Sequence, residues 1–216
     1  LRHMVGLNQP TSGQIIFMGQ VLNELDRKAE IEVRRKMGVL FQSGALFNSM
    51  TVAENIALPL KEHTHLDDKV ISIITKMKLD QVGLAGFGDL MPEQLSGGMK
   101  KRAGLARALA MDPEVLFVDE PSAGLDPITA AGLDELLINL KKTFQMTIVV
   151  VTHELASLFL VSDWVCMIHQ GQIIFSGLLD DLKKSPDPRI IQFLNRKSEK
   201  TVYDPEEHLR SLTTEV

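Results

Sequence analysis

The chain has 216 residues, of which 44% are hydrophobic and 24% charged, values typical of a globular protein that buries a sizeable core. Its net charge of −5 excludes a broad basic surface, so no nucleic-acid partner is expected. Cys166 is the single cysteine, which excludes an internal disulfide, and no apolar run approaches the roughly 20 residues that span a bilayer.

The first part of the chain predicts one short strand, one surface helix and one buried strand. Leu1–Leu7 is typical of the end of a helix, and Gln14–Met18 of a short strand. The charged segment Glu24–Lys36 predicts a surface helix. Met37–Gln42 then predicts a buried strand that leads into the loop Ser43–Asn48.

Two helices are predicted next. Thr51–Glu54 has the composition of a capping box, and the helix that it begins is expected to run to about Leu58, where Pro59 disrupts it. A second helix is predicted over Leu66–Leu79. Its expected buried face consists of Val70, Ile73, Ile74 and Met77. The methionines of this region are expected to fill the core: Met77, Met91, Met99 and Met111.

A serine and two glycines open the next run of helix-forming residues, Lys100–Met111. Ser96 occupies the N-cap position, and Gly97 and Gly98 leave room for another group to approach the free N–H donors of the first turn. Such a helix start binds anions, of which phosphate is the most obvious.

Two carboxylates follow a buried strand. Val115–Val118 is an unbroken apolar run that ends in Asp119 and Glu120. Because open α/β sheets bind ligands at the carboxyl ends of their strands, both residues are candidates for a site. Asp126 then occupies the N-cap position of a further helix that begins at a proline.

The last part of the chain predicts another helix, Ile128–Phe144, and a second fully buried strand, Met146–Val151, which His153 follows closely. A strand pair is predicted beyond it, at Trp164–His169 and Gln172–Ser176. Short helices are expected at Leu178–Lys184 and Asp187–Asn195, before an extended or disordered tail, Arg196–Val216.

In this order and at this spacing, the segments LSGGM, LFVDE and SAGLD resemble the signature motif, Walker B strand and D-loop of the ATP-binding-cassette (ABC) family of ATPases. The resemblance implies an α/β fold of the P-loop NTPase class, with a mostly parallel core sheet. It places the ATPase domain at residues 1–184, with a helical signature subdomain at about 51–112, and a C-terminal extension at 185–216.

The family's strand and glycine-rich P-loop would stand before a segment such as Leu1–Gly13. No glycine in this sequence is followed by lysine, as a P-loop requires. We therefore expect that strand and loop to be missing, and the 216 residues as written to be inactive.

The resemblance also implies the cofactors ATP and Mg²⁺ and the roles of single residues. Asp119 and Gln42 would hold the metal, and Glu120 would orient or deprotonate the attacking water. Gln42 and His153 would also lie around the γ-phosphate. Ser96, Gly97 and Gly98 would contact the nucleotide of a second, head-to-tail copy of the chain, and Asp126 would link the two sites.

Within the family, the segments Val39–Phe47, Glu62–Thr64 and Ser185–Arg189 are similar to the Mla-type ATPase subunit. This similarity implies phospholipid transport between bacterial membranes, by a homodimer at the cytoplasmic face of the inner membrane. Its partners would be a transmembrane permease, periplasmic lipid-binding subunits and small cytoplasmic subunits.

Two alternatives stay open at this point. One is a repair or translation ATPase of the same family. The other is a binding module without ATPase activity.

Overall fold

The computed structural model describes residues 1–197. Within this range the chain forms two compact units, the first from Leu1 to Val161 and the second from Ser162 onward. Most of the tail that was predicted to be extended, residues 198–216, lies outside the described residues. The division of the chain at residue 184 stays a prediction.

A three-stranded parallel sheet forms the centre of the first unit. It consists of β3 (Met37–Leu40), β4 (Val115–Asp119) and β5 (Thr147–Val151), with β4 between the other two. This confirms the predicted α/β class with parallel core strands. Leu116, Phe117 and Val118 are buried, as the apolar run in β4 predicted.

The prediction that β5 is fully buried was wrong. Its burial is intermediate along most of its length, and Val151 is 38% exposed. The strand lies at an edge of the three-stranded sheet, so it contacts fewer neighbours than β4 does.

The start of the chain differs from expectation in two ways. Residues 1–8 form hydrogen-bonded turns instead of the end of a helix. The predicted short strand is one half of an antiparallel hairpin made by β1 (Ile16–Phe17) and β2 (Gln20–Val21). The surface helix, α1 (Arg27–Arg35), is confirmed, with Asp26 accepting a hydrogen bond at its N-cap.

In sequence, three helices lie between β3 and β4, and they pack on one another: α2 (Val52–His63), α3 (Asp68–Gln81) and α4 (Gly97–Ala108). The capping box at the start of α2 is present, but α2 continues through Pro59 to His63, beyond its predicted end. The proline removes one backbone donor. Burial of Leu60 and the bond from the Thr64 hydroxyl to the Leu60 carbonyl hold the last turn together.

The predicted buried face of α3 was wrong except at Ile74, which is half-buried against the core. Val70, Ile73 and Met77 are exposed by 39%, 59% and 56%, whereas the buried residues are Ile71, Thr75, Lys78 and Leu79. Lys78 can be buried because its ammonium group binds Asp112 at 2.5 Å, in the turn that follows α4. The distant partner allows a charged residue to lie on the buried face, which apolar periodicity alone does not predict.

The first unit ends with α5 (Pro127–Phe144) and α6 (Leu155–Val161), on either side of β5 in sequence. The two helices are joined by a hydrogen bond of 2.7 Å from the Ser157 hydroxyl to the buried carboxylate of Asp134. Burial raises the pKa of Asp134, and the bond from Ser157 opposes that shift.

The second unit contains the predicted strand pair as an antiparallel hairpin, β6 (Trp164–His169) with β7 (Gln172–Leu178). Two short helices follow, α7 (Leu179–Lys183) and α8 (Pro188–Leu194), and Asp187 caps the second. Among the described residues no helix is long and apolar enough to cross a membrane.

Candidate functional site

The three parallel strands bring four of the predicted site residues to one edge of the sheet: Gln42, Asp119, Glu120 and His153. The register pairs Leu40 with Val118 and Asp119 with Val151, so all three strands end at the same level. Gln42 follows β3 as an exposed residue, while Asp119 is the half-buried last residue of β4.

The next residue after β4, Glu120, contacts the histidine that follows β5. His153 Nδ1 lies 2.8 Å from Glu120 Oε1, and the backbone N–H of Glu120 donates to the Val151 carbonyl at 2.8 Å. The hydrogen bond to Glu120 and its negative charge raise the pKa of His153. The imidazole is 75% exposed and the carboxylate 20%, so the pair stands at the surface with the acid on its inner side.

Glu120 has two unusual features. Its backbone is left-handed, with φ of 46°, a conformation that costs a residue with a side chain free energy. Its second carboxylate oxygen, Oε2, is buried and has no hydrogen-bond partner among the described residues. A buried acceptor of this kind fits a water molecule or a further polar group of a bound ligand.

The residues at this edge fit the cofactors that the sequence implied. Mg²⁺ takes oxygen ligands and keeps several waters, so few protein ligands are needed. Asp119 and the Gln42 side-chain oxygen are of the right kind. No group of three or more His, Cys, Asp or Glu side chains is placed to hold a metal within residues 1–197.

The turn at Ser96–Gly98, called here the signature turn, lies against the turn at Asp126. Ser96 is exposed and caps α4 by accepting the Met99 N–H at 3.3 Å. A Cβ at Gly97 would lie 3.6 Å from Leu125, and one at the buried Gly98 would collide with a Thr129 methyl group. Gly98 is therefore needed for this close approach, whereas a Cβ at Gly97 would make an ordinary van der Waals contact.

Asp126 organises the other side of that contact. Its Oδ1 accepts the backbone N–H groups of Ile128 and Thr129 at 3.1 and 3.0 Å, and its Oδ2 accepts the Thr129 hydroxyl. These hydrogen bonds, first the one from the Thr129 hydroxyl, lower the pKa of Asp126. The carboxylate thus acts as the N-cap of α5, as its sequence position predicted.

Sequence reasoning missed two buried polar residues near the site. Lys101 in α4 donates to backbone carbonyls between Glu120 and Ala123. Asn55 in α2 holds the loop that follows Gln42. A signal existed for the lysine, since it shares a helix face with Gly98 and Leu105, at helical spacing.

The sequence comparisons agree with this geometry. The family model described as "ABC transporter" matches residues 1–123, more than half of the chain. The chain belongs to the ABC transporter family. It is thus an ABC ATPase, and its fold and motifs are those of an ATP-hydrolysing cassette.

Relatives of this ABC ATPase include two proteins named as the ATP-binding protein MlaF of the intermembrane phospholipid transport system. The one from Haemophilus influenzae is 39% identical over 215 residues, which cover 98% of this chain and 81% of the relative. The one from Escherichia coli K12 is 41% identical, over 90% and 72%. A probable ribonucleotide transport ATP-binding protein, mkl of Mycobacterium tuberculosis, is also 41% identical, over 90% and 54%.

Solved cassettes share the fold of this ABC ATPase. One is the ATP-binding cassette MJ0796, in a dimeric post-hydrolysis state bound to ADP and Pi, with a TM-score of 0.75 and 28% identity over 82% of this chain and 78% of that one. Another is cbiO1 of Clostridium perfringens, part of the ABC transporter complex cbiONQ, with a TM-score of 0.76 and 28% identity over 91% and 77%.

Proposed function

We propose that this ABC ATPase drives phospholipid transport between two bacterial membranes, with Glu120 as the residue that acts on the attacking water. The contact between Glu120 and His153, at the edge where the parallel strands end, carries the site assignment. The MlaF relatives support the cargo, because they match this chain over most of their own length. The mkl relatives match over about half of theirs.

Each residue at the edge has a distinct task in this proposal. Glu120 Oε2 orients the water and takes its proton, while Oε1 is held by His153. Asp119 and Gln42 would hold Mg²⁺, which would stabilise negative charge on the phosphates. ATP, when bound with the metal, supplies the phosphoanhydride bond that is hydrolysed. The protein contributes position and charge, as in phosphoryl transfer generally.

A second copy of the chain completes the nucleotide-binding site. Ser96 and Gly97 are exposed at the start of α4, where free backbone N–H groups favour phosphate. In a head-to-tail homodimer these residues and Gly98 contact the partner's nucleotide. Asp126, which caps the adjoining helix, links the two sites. The dimeric state of the similar cassette MJ0796 supports this arrangement.

A transmembrane permease is the proposed partner at the helical part of the first unit. The loop after Gln42 presents Phe47, which is 51% exposed. A groove of about 590 Å³ opens between α2, α3 and residues 85–89, lined in part by Ala57, Ile71 and Leu79. The ATPase would bind there peripherally, at the cytoplasmic face of the inner membrane, in a complex with lipid-binding and small cytoplasmic subunits.

The test uses the full-length protein with its membrane partners in proteoliposomes. Glu120→Gln keeps the size of the side chain but removes the base, so turnover should fall by at least the roughly 10²-fold that a positioned base contributes. ATP binding should persist. Glu135→Gln, at an exposed position on α5, is the matched control. Turnover of Glu120→Gln within twofold of the parent would remove Glu120 from this role.

Cargo is tested separately with the same proteoliposomes. Labelled phospholipid should move to acceptor vesicles only when ATP is supplied, and Glu120→Gln should stop the movement. ATP-dependent uptake of ribonucleotide without lipid movement would contradict the phospholipid assignment and favour the cargo named for the mkl relatives.

A further inference from the structure

Lys101 is a buried cation that binds only backbone oxygens. The residue is only 5% exposed. Its Nζ lies 3.1 Å from the carbonyl oxygen of Glu120, 2.5 Å from that of Pro121 and 2.7 Å from that of Ala123. Within the described part of the chain it forms no ion pair. An ammonium group has three donors, so these carbonyls satisfy all of them.

Such an arrangement is uncommon because a buried lysine usually has an acidic partner. Here the acceptors are backbone carbonyls that converge on one point, and their negative ends would repel one another without a cation between them. The positive charge therefore holds the turn from Glu120 to Ala123 in its observed shape. The turn's own backbone bond, from the Ala123 N–H to the Glu120 carbonyl, measures 3.2 Å, at the upper end of the normal range.

The same turn sets the position of the catalytic carboxylate. Glu120 adopts a left-handed backbone, with φ of 46°, which must be held by its surroundings. The Glu120 N–H donates to the Val151 carbonyl, and the Glu120 carbonyl accepts from Lys101, so the two peptide units on either side of the Glu120 Cα are both held. Both bonds together determine where the side chain leaves the backbone.

Lys101 also connects Glu120 to the signature turn. It lies in the second turn of α4, whose N-cap is Ser96 and whose buried Gly98 packs against Thr129. A movement of α4 moves the ammonium group, and with it the carbonyl of Glu120. The start of α4 and the carboxylate that acts on water are thus joined by one side chain.

We propose that Lys101 is a positioning residue that holds the left-handed turn at Glu120 and couples the position of its carboxylate to helix α4. This inference rests on the proposed role of Glu120 and adds the residue through which that role depends on the signature helix. It differs from a purely structural role, because it requires Lys101 to act through Glu120.

The experiment measures ATPase kinetics of the full-length protein with Lys101→Met, which keeps the apolar stem and removes the donors. A misplaced catalytic group costs up to about 10²-fold in rate. We expect kcat to fall at least tenfold while KM for ATP stays within twofold. Lys100→Met, the adjacent lysine of the same helix, is the matched control and should change neither. Lys101→Gln, which restores two donors on a shorter stem, should recover part of kcat.

A double variant separates this inference from the proposed function. In single-turnover measurements, Lys101→Met should cause no further loss in a Glu120→Gln background, because the residue through which it acts is already disabled. Equal losses in both backgrounds, or an unchanged kcat in Lys101→Met, would overturn the inference alone. If Glu120→Gln itself keeps parental turnover, the proposed function fails first. Should Lys101→Met not fold, Lys101→Leu, which also lacks donors, takes its place in the same cycle, where an undiminished kcat overturns the inference.

Discussion

Asn55 offers the sharpest test of how the loop after Gln42 is held. The residue is fully buried in α2, and its side-chain oxygen accepts the Phe47 N–H at 2.8 Å. Its side-chain nitrogen lies 3.1, 3.1 and 3.0 Å from the carbonyl oxygens of Phe47, Met50 and Thr51. The Asn55 side chain therefore supplies hydrogen bonds to backbone groups of the loop that no helix or strand would otherwise satisfy.

The expected cost of Asn55→Ala follows from these contacts. An amide nitrogen carries two hydrogens, so Asn55 makes one accepted and two donated bonds at full strength. At about 1 kcal/mol for each net hydrogen bond, the variant should lower the free energy of unfolding by about 3 kcal/mol. This is a large fraction of the roughly 5–15 kcal/mol of a typical domain.

Urea unfolding of parent and variant measures this loss, and hydrogen exchange locates it. Amides of residues 43–50 should exchange faster in Asn55→Ala, because the loop loses its anchor. Asn48→Ala removes the same side chain from an exposed position of the same loop and should change stability by less than about 0.5 kcal/mol. A variant Asn55→Ala as stable as Asn48→Ala, with unchanged loop exchange, would refute the reasoning.

Three further predictions concern the site and its support. The bond to Glu120 raises the pKa of His153 above its ordinary 6.5. The pair therefore stabilises the fold fully below pH 6.5, and this stabilisation is lost as the pH rises through the pKa of His153 in the folded protein. An NMR titration should show a lower pKa of His153 in Glu120→Gln. Gly104→Ala places a methyl group 2.7 Å from a carbonyl oxygen of the loop after β3, and should destabilise by about 1–3 kcal/mol in urea unfolding, whereas Gly132→Ala meets only a flexible side chain and should be tolerated. Burial raises the pKa of Asp134 above 3.8, so its folded form holds the proton to higher pH and the free energy of unfolding falls as pH rises from 3.8 through the folded value; Asp134→Asn should remove that component from the pH profile of stability.

Sequence was informative wherever a local pattern has one structural outcome. The apolar run followed by Asp119 and Glu120 predicted a buried strand that ends in acids, and the structure has β4 there, with Asp119 as its last residue. N-caps at Ser96 and Asp126 were predictable for the same reason, since each side chain bonds to N–H groups two or three residues away. Parallel strands then bring their carboxyl ends to one edge whatever the rest of the chain does.

Tertiary structure decided every outcome that depends on a distant partner. Periodicity along α3 predicted burial of Ile73 and Met77, but both are exposed, and the buried face includes Lys78, which binds Asp112, far away in sequence. Lys101 is buried because carbonyls of the turn after β4, far from it in sequence, accept its three donors.

The sequence by itself therefore determined the family, most of the elements and which residues stand at the strand ends, because these follow from short-range hydrogen bonding and spacing. Only the tertiary structure decided which charges are buried, which helix face is exposed and how Glu120 is held. Such features depend on groups that are far apart in the sequence and that only the fold brings into contact, so local sequence patterns do not predict them.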